Sequence, residues 1–460
     1  MGGEAGLYYT LNPDCMMCGY RGMPYLLYHR RVGTFSAISK ADAELLMRCD
    51  GAADMPPSPA LERLCACRIL NSAPEPLSID DAQRYVYYDN RFFRTATWAV
   101  TAGCNLNCRH CFVAKDANRA ADRFSLEEAR KLIGEMKACG IREVHLTGGE
   151  PLTHPEIDEI IAELSRQDLK IARMVTNGLL IDDAFLRRLR TLGQDPLFTV
   201  SFDGLGTHEW LRNAPGIEQR TLDQIDRIRD AGFDVSVQMS LYRGNVDVVW
   251  DTIRYFEKRD ILHMRLMRTS EAPRWLERYG DQTLTPEEYC AFGLDLIEKY
   301  AERRGPMTLC MWQLLWYHCR GGRVGISPMH HTGASSADWT ACQDAHDNFF
   351  IGATGEVAPC MPVSGTMLMR GISLGNVRKT PLKALLSDSK LTEWTFLTLK
   401  DFYRVNARCR ECPYRDACCG GCRALAYGLT GDLYGSDPLR CAYFYGGYYD
   451  RVNALVQRYA

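Results

Sequence analysis

Residues 104–111 read CNLNCRHC: Cys104, Cys108 and Cys111, spaced CxxxCxxC, in a short loop directly after the apolar run TWAVTA. A structural zinc takes four ligands, whereas a reactive metal site keeps one position open. Three thiolates without an obvious fourth can hold three irons of a [4Fe-4S] cluster and leave the remaining iron free. The plainer alternative is a zinc that borrows a distant fourth ligand. A second constellation lies in the last third of the chain. Cys342, Gly355 and Cys360 are separated by twelve and four residues. A Cx2Cx5Cx3C run of Cys409, Cys412, Cys418 and Cys422 follows, with Cys441 downstream. One or two structural zincs are the plainer reading of that set.

Composition narrows the setting. Of 460 residues, 20 are cysteine, 46% are hydrophobic and 24% charged, with a net charge of −2. A near-neutral chain offers no broad field for nucleic acid or an anionic membrane. No apolar stretch is long enough to span a bilayer, and the start MGGEAGLYYT lacks the basic and apolar regions of a signal peptide. A cytoplasmic protein with no nucleic-acid or membrane partner is expected. In a reducing cytosol, so many cysteines point to metal or redox chemistry rather than disulfides.

The first cysteine loop needs a scaffold, and residues 93–305 supply one. Strand-like runs (TWAVTA, EVHLTGG, KIARMVTNG, LFTVSFDG, DVSVQMSLY, LHMRLMRT) alternate with amphipathic helical runs such as SLEEARKLIGEMKACG and TLDQIDRIRDAG. Several helices begin near Ser, Asp or Thr and end on Gly, as capped helices do. Six βα units predict an α/β fold, a parallel sheet curled by right-handed crossovers into a partial (β/α)6 TIM-like barrel. Polar or Gly-rich residues follow nearly every strand, where such folds place their sites. Residues 1–92 read as a small winged-helix-like module, with a hairpin around Gly33, a helix capped by Ser39 and a second short helix at SPALERLCACRIL. Residues 306–460 read as a bridging region and a loop-rich iron–sulfur domain ordered by metal more than by an apolar core.

In this order and spacing the motifs resemble those of the radical S-adenosylmethionine (SAM) enzymes, whose signature is CxxxCxΦC, with His110 at the Φ position that often packs on adenine. The resemblance implies that SAM is the missing ligand of the free iron. It further implies that reductive cleavage of SAM gives a 5′-deoxyadenosyl radical that abstracts a substrate hydrogen. TGGEP at 147–151 is similar to the family's GGEP motif, which implies that Gly148, Gly149 and Glu150 hold the SAM amino group. TNG contributes Thr176 and Asn177. SFDG followed by HEWLR is similar to the family's S-x-D-G…H-x-x-x-R pattern, implying ribose or nearby polar contacts from Ser201 and Asp203 and a SAM carboxylate contact from Arg212. Arg suits that task because its planar fork pairs with carboxylates.

The later cysteines resemble the seven-cysteine SPASM pattern, which carries two auxiliary [4Fe-4S] clusters. Three clusters are therefore implied in all. By the family's interleaving, Cys409, Cys412, Cys418 and Cys441 ligate the distal auxiliary cluster, and Cys342, Cys360 and Cys422 give three ligands to the proximal one. Its fourth ligand is Cys319, Cys310 or an open position. Residues 20–90 resemble the peptide-recognition element of enzymes that modify ribosomally made peptides, which bind a leader peptide as an added strand. A plain cap on the barrel is the alternative.

The function this implies is maturation of a precursor peptide by thioether or carbon–carbon crosslinking, with electrons from a donor such as flavodoxin or ferredoxin. Alternatives are a sulfatase-maturase-like, formylglycine-forming oxidase, a small-molecule or haem-pathway oxidoreductase and, outside catalysis, a metal-stabilised peptide-binding or electron-transfer protein. No catalytic side chain is assigned. Cys15 and Cys18 in CMMC read as structural thiols or a small zinc site, and either Arg265 or Arg268 is expected to point into the barrel mouth.

Overall fold

The computed structural model describes residues 6–111, 121–269, 272–342 and 347–460. It divides into two compact units, Met1–Phe92 with Ala138–Gly140, and Phe93–Lys137 with Ile141–Ala460. The stretches expected as separate barrel and iron–sulfur domains therefore fall within one unit.

The first unit contains β1 (Tyr8–Leu11), β2 (Cys15–Arg21), β3 (Met23–His29), β4 (Thr34–Ala37), β5 (Leu70–Ala73) and β6 (Val86–Arg91). β1 pairs with β5, and the other four form a sheet in the order β4-β3-β2-β6. Gly33 turns the β3–β4 hairpin with φ +63°, a conformation that glycine adopts without strain. The Ser39 and Ser58 side chains cap the helices Lys40–Arg48 and Pro59–Ala66 by accepting from the Asp42 and Leu61 N–H groups. Successive strand residues face opposite sides. Cys15 and Met17 therefore pack in one apolar cluster, with Leu27, Leu46 and Leu61, while Met16, Cys18 and Tyr20 pack in another. The CMMC thiols lie in separate cores and do not build a joint metal site.

In the second unit, β7 (Thr95–Ala99), β8 (Glu143–Thr147), β9 (Lys170–Thr176), β10 (Leu197–Ser201), β11 (Val235–Leu241) and β12 (His263–Arg268) lie parallel in chain order. These are the six strands the alternation predicts. The sheet runs on through β13 (Thr308–Met311), parallel to β12, to antiparallel β14 (Leu315–Arg320) and β15 (Arg323–Pro328). At its other end are β16 (Asn348–Ile351), parallel to β7, and β17 (Val357–Ala358). These five strands are two to six residues long and lie outside the regular strand–helix alternation that marks the other six. Amphipathic helices cover the sheet. In Leu126–Ala138 the buried Ala129, Leu132, Ile133 and Met136 recur at helical spacing, and Pro286–Glu302 opens on a capping box of Thr285 and Glu288.

The segment expected to be loop-rich is largely short helices, among them Lys390–Thr395, Leu399–Val405, Arg423–Thr430 and Pro438–Tyr445. Helices of one or two turns carry too few residues for periodicity to register. The N-terminal amides of all but Arg423–Thr430 among these four are met by Ser389, Thr398 and Asp437 side chains. Ala341, Leu397, Leu399, Phe402 and Cys419 form a buried apolar cluster among them, so apolar packing contributes to the order of this lobe. Truncating the fully buried Phe402 to Ala should destabilise the protein by ~3–5 kcal/mol. Urea unfolding followed by tryptophan fluorescence measures the loss, and an unchanged midpoint would mean that metal alone holds the lobe.

Candidate functional site

The cysteine loop is fastened to the end of β8 by main-chain hydrogen bonds. The Val100 N–H donates to the Thr147 carbonyl (3.1 Å), Gly149 N–H to Thr101 O (2.8 Å) and Glu150 N–H to Gly103 O (2.8 Å). A Cβ at Gly148 would lie 2.5 Å from Thr101 O, and one at Gly149 2.3 Å from Gly103 O. The two glycines thus let two backbones touch, and the Gly149 and Glu150 amides are spent on that contact. Cys104 is exposed, Cys111 half-buried and Cys108 buried.

Glu150 retains 1% of its surface. Its Oε1 accepts from Thr176 Oγ1 and its Oε2 from the Asn177 N–H, both at 2.8 Å. The GGE and TNG motifs are one hydrogen-bonded device, and Asn177 Nδ2 carries it back to Asn105 Oδ1 of the cysteine loop at 2.7 Å. Burial pushes the Glu150 carboxyl up from its ordinary 4.5 to about 7, against the pull of those donors.

Asp203 has no exposed surface. Its Oδ2 accepts from Arg212 Nε at 2.6 Å and its Oδ1 from the Ser240 N–H at 3.0 Å. Burial alone would raise its carboxyl; the Arg212 guanidinium and the His208 hydrogen bond hold it well below the usual carboxylate range. Asp203 therefore orients Arg212 and the end of β11. Arg212 Nη1 lies 3.8 Å from Cys108 Sγ. Ser201 ends β10 half-buried. His110 is kept neutral, its ring lowered to about 4 by burial and by the Arg212 charge, and its Nδ1 is sealed from solvent without a partner.

Arg109, between the cluster cysteines, was not singled out by motif. Its Nε donates to Trp210 O and its Nη1 to Tyr279 Oη, each at 2.7 Å, and its guanidinium lies 5.0 Å from the Trp210 ring centre. It ties the loop to HEWLR and to the helix Pro273–Tyr279. The signal was an arginine flanked by ligands, with tryptophans and tyrosines far off in sequence. Of the β12 arginines, Arg268 Nη1 donates to Leu284 O at 2.9 Å, and Arg265 lies 4.5 Å over the Trp312 ring.

In the C-terminal lobe, Cys409, Cys412, Cys418 and Cys441 together line one cavity with Asp437 and Arg440. Cys409 Sγ is 3.4 Å from Ser436 Oγ, and Cys412 Sγ is 3.3 Å from Tyr445 Oη. Asp437, another residue no motif flagged, accepts from the Cys422 N–H at 2.7 Å. Cys342 lies close enough to Cys422 for its charge to raise that thiol. Burial pushes both Cys418 and Cys422 up to about 12, so they ionise readily only with a cation beside them. Among the described residues no three His, Cys, Asp or Glu side chains close on one point as around a single ion.

Residues 98–256 match the radical SAM superfamily, and residues 342–413 match the SPASM iron–sulfur cluster-binding domain. The chain is a radical SAM enzyme with a SPASM domain. It is 27% identical to an AdoMet-dependent heme synthase of Methanosarcina barkeri over 76% of this chain and 96% of that one. It is 24% identical to a PqqA peptide cyclase of Granulibacter bethesdensis over 74% and 84%. Its fold is that of Streptococcus suis SuiB, solved with the precursor peptide SuiA, with a TM-score of 0.68, 13% identity and coverage of 93% of this chain and 98% of SuiB.

A radical SAM domain implies SAM and a [4Fe-4S] cluster, and a SPASM domain implies further iron–sulfur clusters. The residues of this radical SAM enzyme fit those groups: four thiols line one cavity, and a buried imidazole nitrogen beside the cysteine loop has no protein partner. Gly149→Ala should force the cysteine loop away and lower reconstituted iron by about four per chain, while the SPASM iron stays; full iron content by colorimetric assay would contradict the junction. Glu150 makes the metal-free protein pH-sensitive. Its folded pKa is raised, so the folded state holds a proton that the unfolded chain has released. Stability therefore falls as pH rises from 4.5 towards 7, by up to ~3 kcal/mol. Thermal melts from pH 5 to 8 should show that slope, flattened in Glu150→Gln.

Proposed function

We propose that this radical SAM enzyme matures a ribosomally made precursor peptide, forming a thioether or carbon–carbon crosslink. The observation that carries the reading is the edge of β4. It ends the sheet β4-β3-β2-β6, and Thr34, Ser36 and Ala37 along it are exposed. Such an edge accepts an extended leader by backbone pairing. The likeness to SuiB supports it, since that fold match covers 93% of this chain, too much to leave out residues 1–92.

On this reading, Cys104, Cys108 and Cys111 hold the first cluster, and SAM bound at its free iron supplies hydrogen-atom abstraction. Glu150, presented by Thr176 and Asn177, offers its carboxylate to the SAM ammonium, and His110 offers a neutral ring. Arg212 sets the charge near Cys108 and is itself oriented by Asp203. Cys409, Cys412, Cys418 and Cys441 hold the distal auxiliary cluster, and Cys342, Cys360 and Cys422 the proximal one, giving three [4Fe-4S] clusters. Cys310 sits beside Arg265 and Cys319 beside Tyr317, and the fourth ligand is one of these two or an open position. A flavodoxin or ferredoxin supplies electrons.

Co-expression with the product of a short neighbouring reading frame tests the function. The peptide should leave lighter by two hydrogens, and by none with Cys104→Ala, whose auxiliary iron stays. An unmodified peptide together with modified tetrapyrrole would transfer the assignment to the small-molecule class.

A further inference from the structure

The interior of the barrel carries cations that the SAM site does not use. In β8, half-buried His145 stands between fully buried Val144 and Leu146; in β12, half-buried Arg265 stands between buried Met264 and Leu266; and in β9, half-buried Arg173 precedes buried Met174. Strand alternation sends the buried neighbours to the helix layer and these three to the other face, the barrel interior. Register sets His145 opposite Arg173 and Arg265 opposite Cys310, and the strand stagger of a barrel brings inward residues of β9 and β12 that are offset in register towards one level. Arg173 Nη1 donates to Thr199 Oγ1 at 2.7 Å, and Arg265 rests on Trp312.

Among the described residues no acid balances this layer. Glu143, the carboxylate below His145 on β8, is already paired with Arg94 at 3.0 Å. Neither Arg173 nor Arg265 forms an ion pair among the described residues. Each guanidinium repels the other strongly enough to help burial lower Arg173 to about 10, and both help burial hold His145 near 4, uncharged. Unpaired cations held together in a half-dry interior cost desolvation and repulsion, which an incoming anion removes. Arg173 lies three residues before Thr176 on its strand, ~10 Å below the Glu150 device, at the depth of a group presented to the SAM end of the barrel.

We propose that this layer anchors the substrate by a carboxylate, held between Arg173 and Arg265 with Trp312 as one wall. The site takes a planar anion because guanidinium forks pair with both of its oxygens. The inference rests on the peptide reading only for the source of that carboxylate, a Glu or Asp side chain or a chain terminus; a tetrapyrrole propionate presents the same chemistry.

The test is anaerobic calorimetry on the SAM-loaded holoenzyme with two probe pairs. One pair is a blocked Glu-bearing pentapeptide and its Gln counterpart, and the other is coproporphyrin III and its tetramethyl ester. At least one carboxylate probe should bind ten-fold or more tightly than its neutral partner. Arg173→Gln and Arg265→Gln should each remove most of that preference, and Arg173→Lys and Arg265→Lys should retain part of it. Circular dichroism and iron content report folding, and the Lys variants decide if a Gln variant fails to fold. Equal binding of charged and neutral probes, no binding of either, or a preference that survives Arg173→Gln with Arg265→Gln would overturn the site. Preference for the porphyrin alone would keep the carboxylate site and sink the peptide reading. Leader binding to residues 1–92 with no carboxylate preference would do the reverse.

Discussion

Two backbone hydrogen bonds hold the reactive end of this protein together, from Gly149 and Glu150 to the carbonyls of Thr101 and Gly103. They set the cysteine loop against the end of β8 at a distance no side chain would permit. From that junction Glu150 is aimed at Thr176 and Asn177, and Asn177 reaches back to Asn105. Three successive strand ends and the metal-binding loop thus form one closed ring of hydrogen bonds. A shift in any member is passed to the rest, because buried polar groups left unpaired are costly.

Charge in the second unit is arranged in two ways. Beside the first cysteine loop Asp203 neutralises Arg212 and neutral His110 adds no charge, while Arg109 spends its guanidinium on Trp210 and Tyr279. Deeper in the barrel, the Arg265 charge acts on Arg173, and among the described residues neither has an acid partner. The first arrangement makes a rigid wall, while the second leaves a binding free energy to be gained. In the SPASM lobe, Asp437 and Arg440 line the same cavity as four thiols, so negative thiolates and positive iron would meet fixed charges of both signs.

The six parallel strands and their helices were legible because each carries several turns or alternations of its own. So were the ring members Glu150, Thr176 and Asn177, which sit in motifs at strand ends. The spacing marks Gly148, Gly149 and Asp203 as site residues, and the structure adds that they also brace the loops and Arg212. Arg109, Asp437 and Arg173 escaped notice because their partners lie far away in sequence, at Trp210, Cys422 and Thr199. The short helices after 380 escaped because one or two turns carry no period.

Cysteine spacing by itself pointed to a soft-metal chemistry, iron–sulfur or zinc, since soft ligands at fixed intervals state their chemistry locally, and the order of the surrounding motifs added the resemblance that favours iron and sulfur. Strand and helix periodicity likewise determined a parallel α/β sheet. Only the tertiary structure decided which polar side chains remain free to meet a ligand. That depends on which hydrogen bonds and ion pairs form between distant segments, and no local pattern records it.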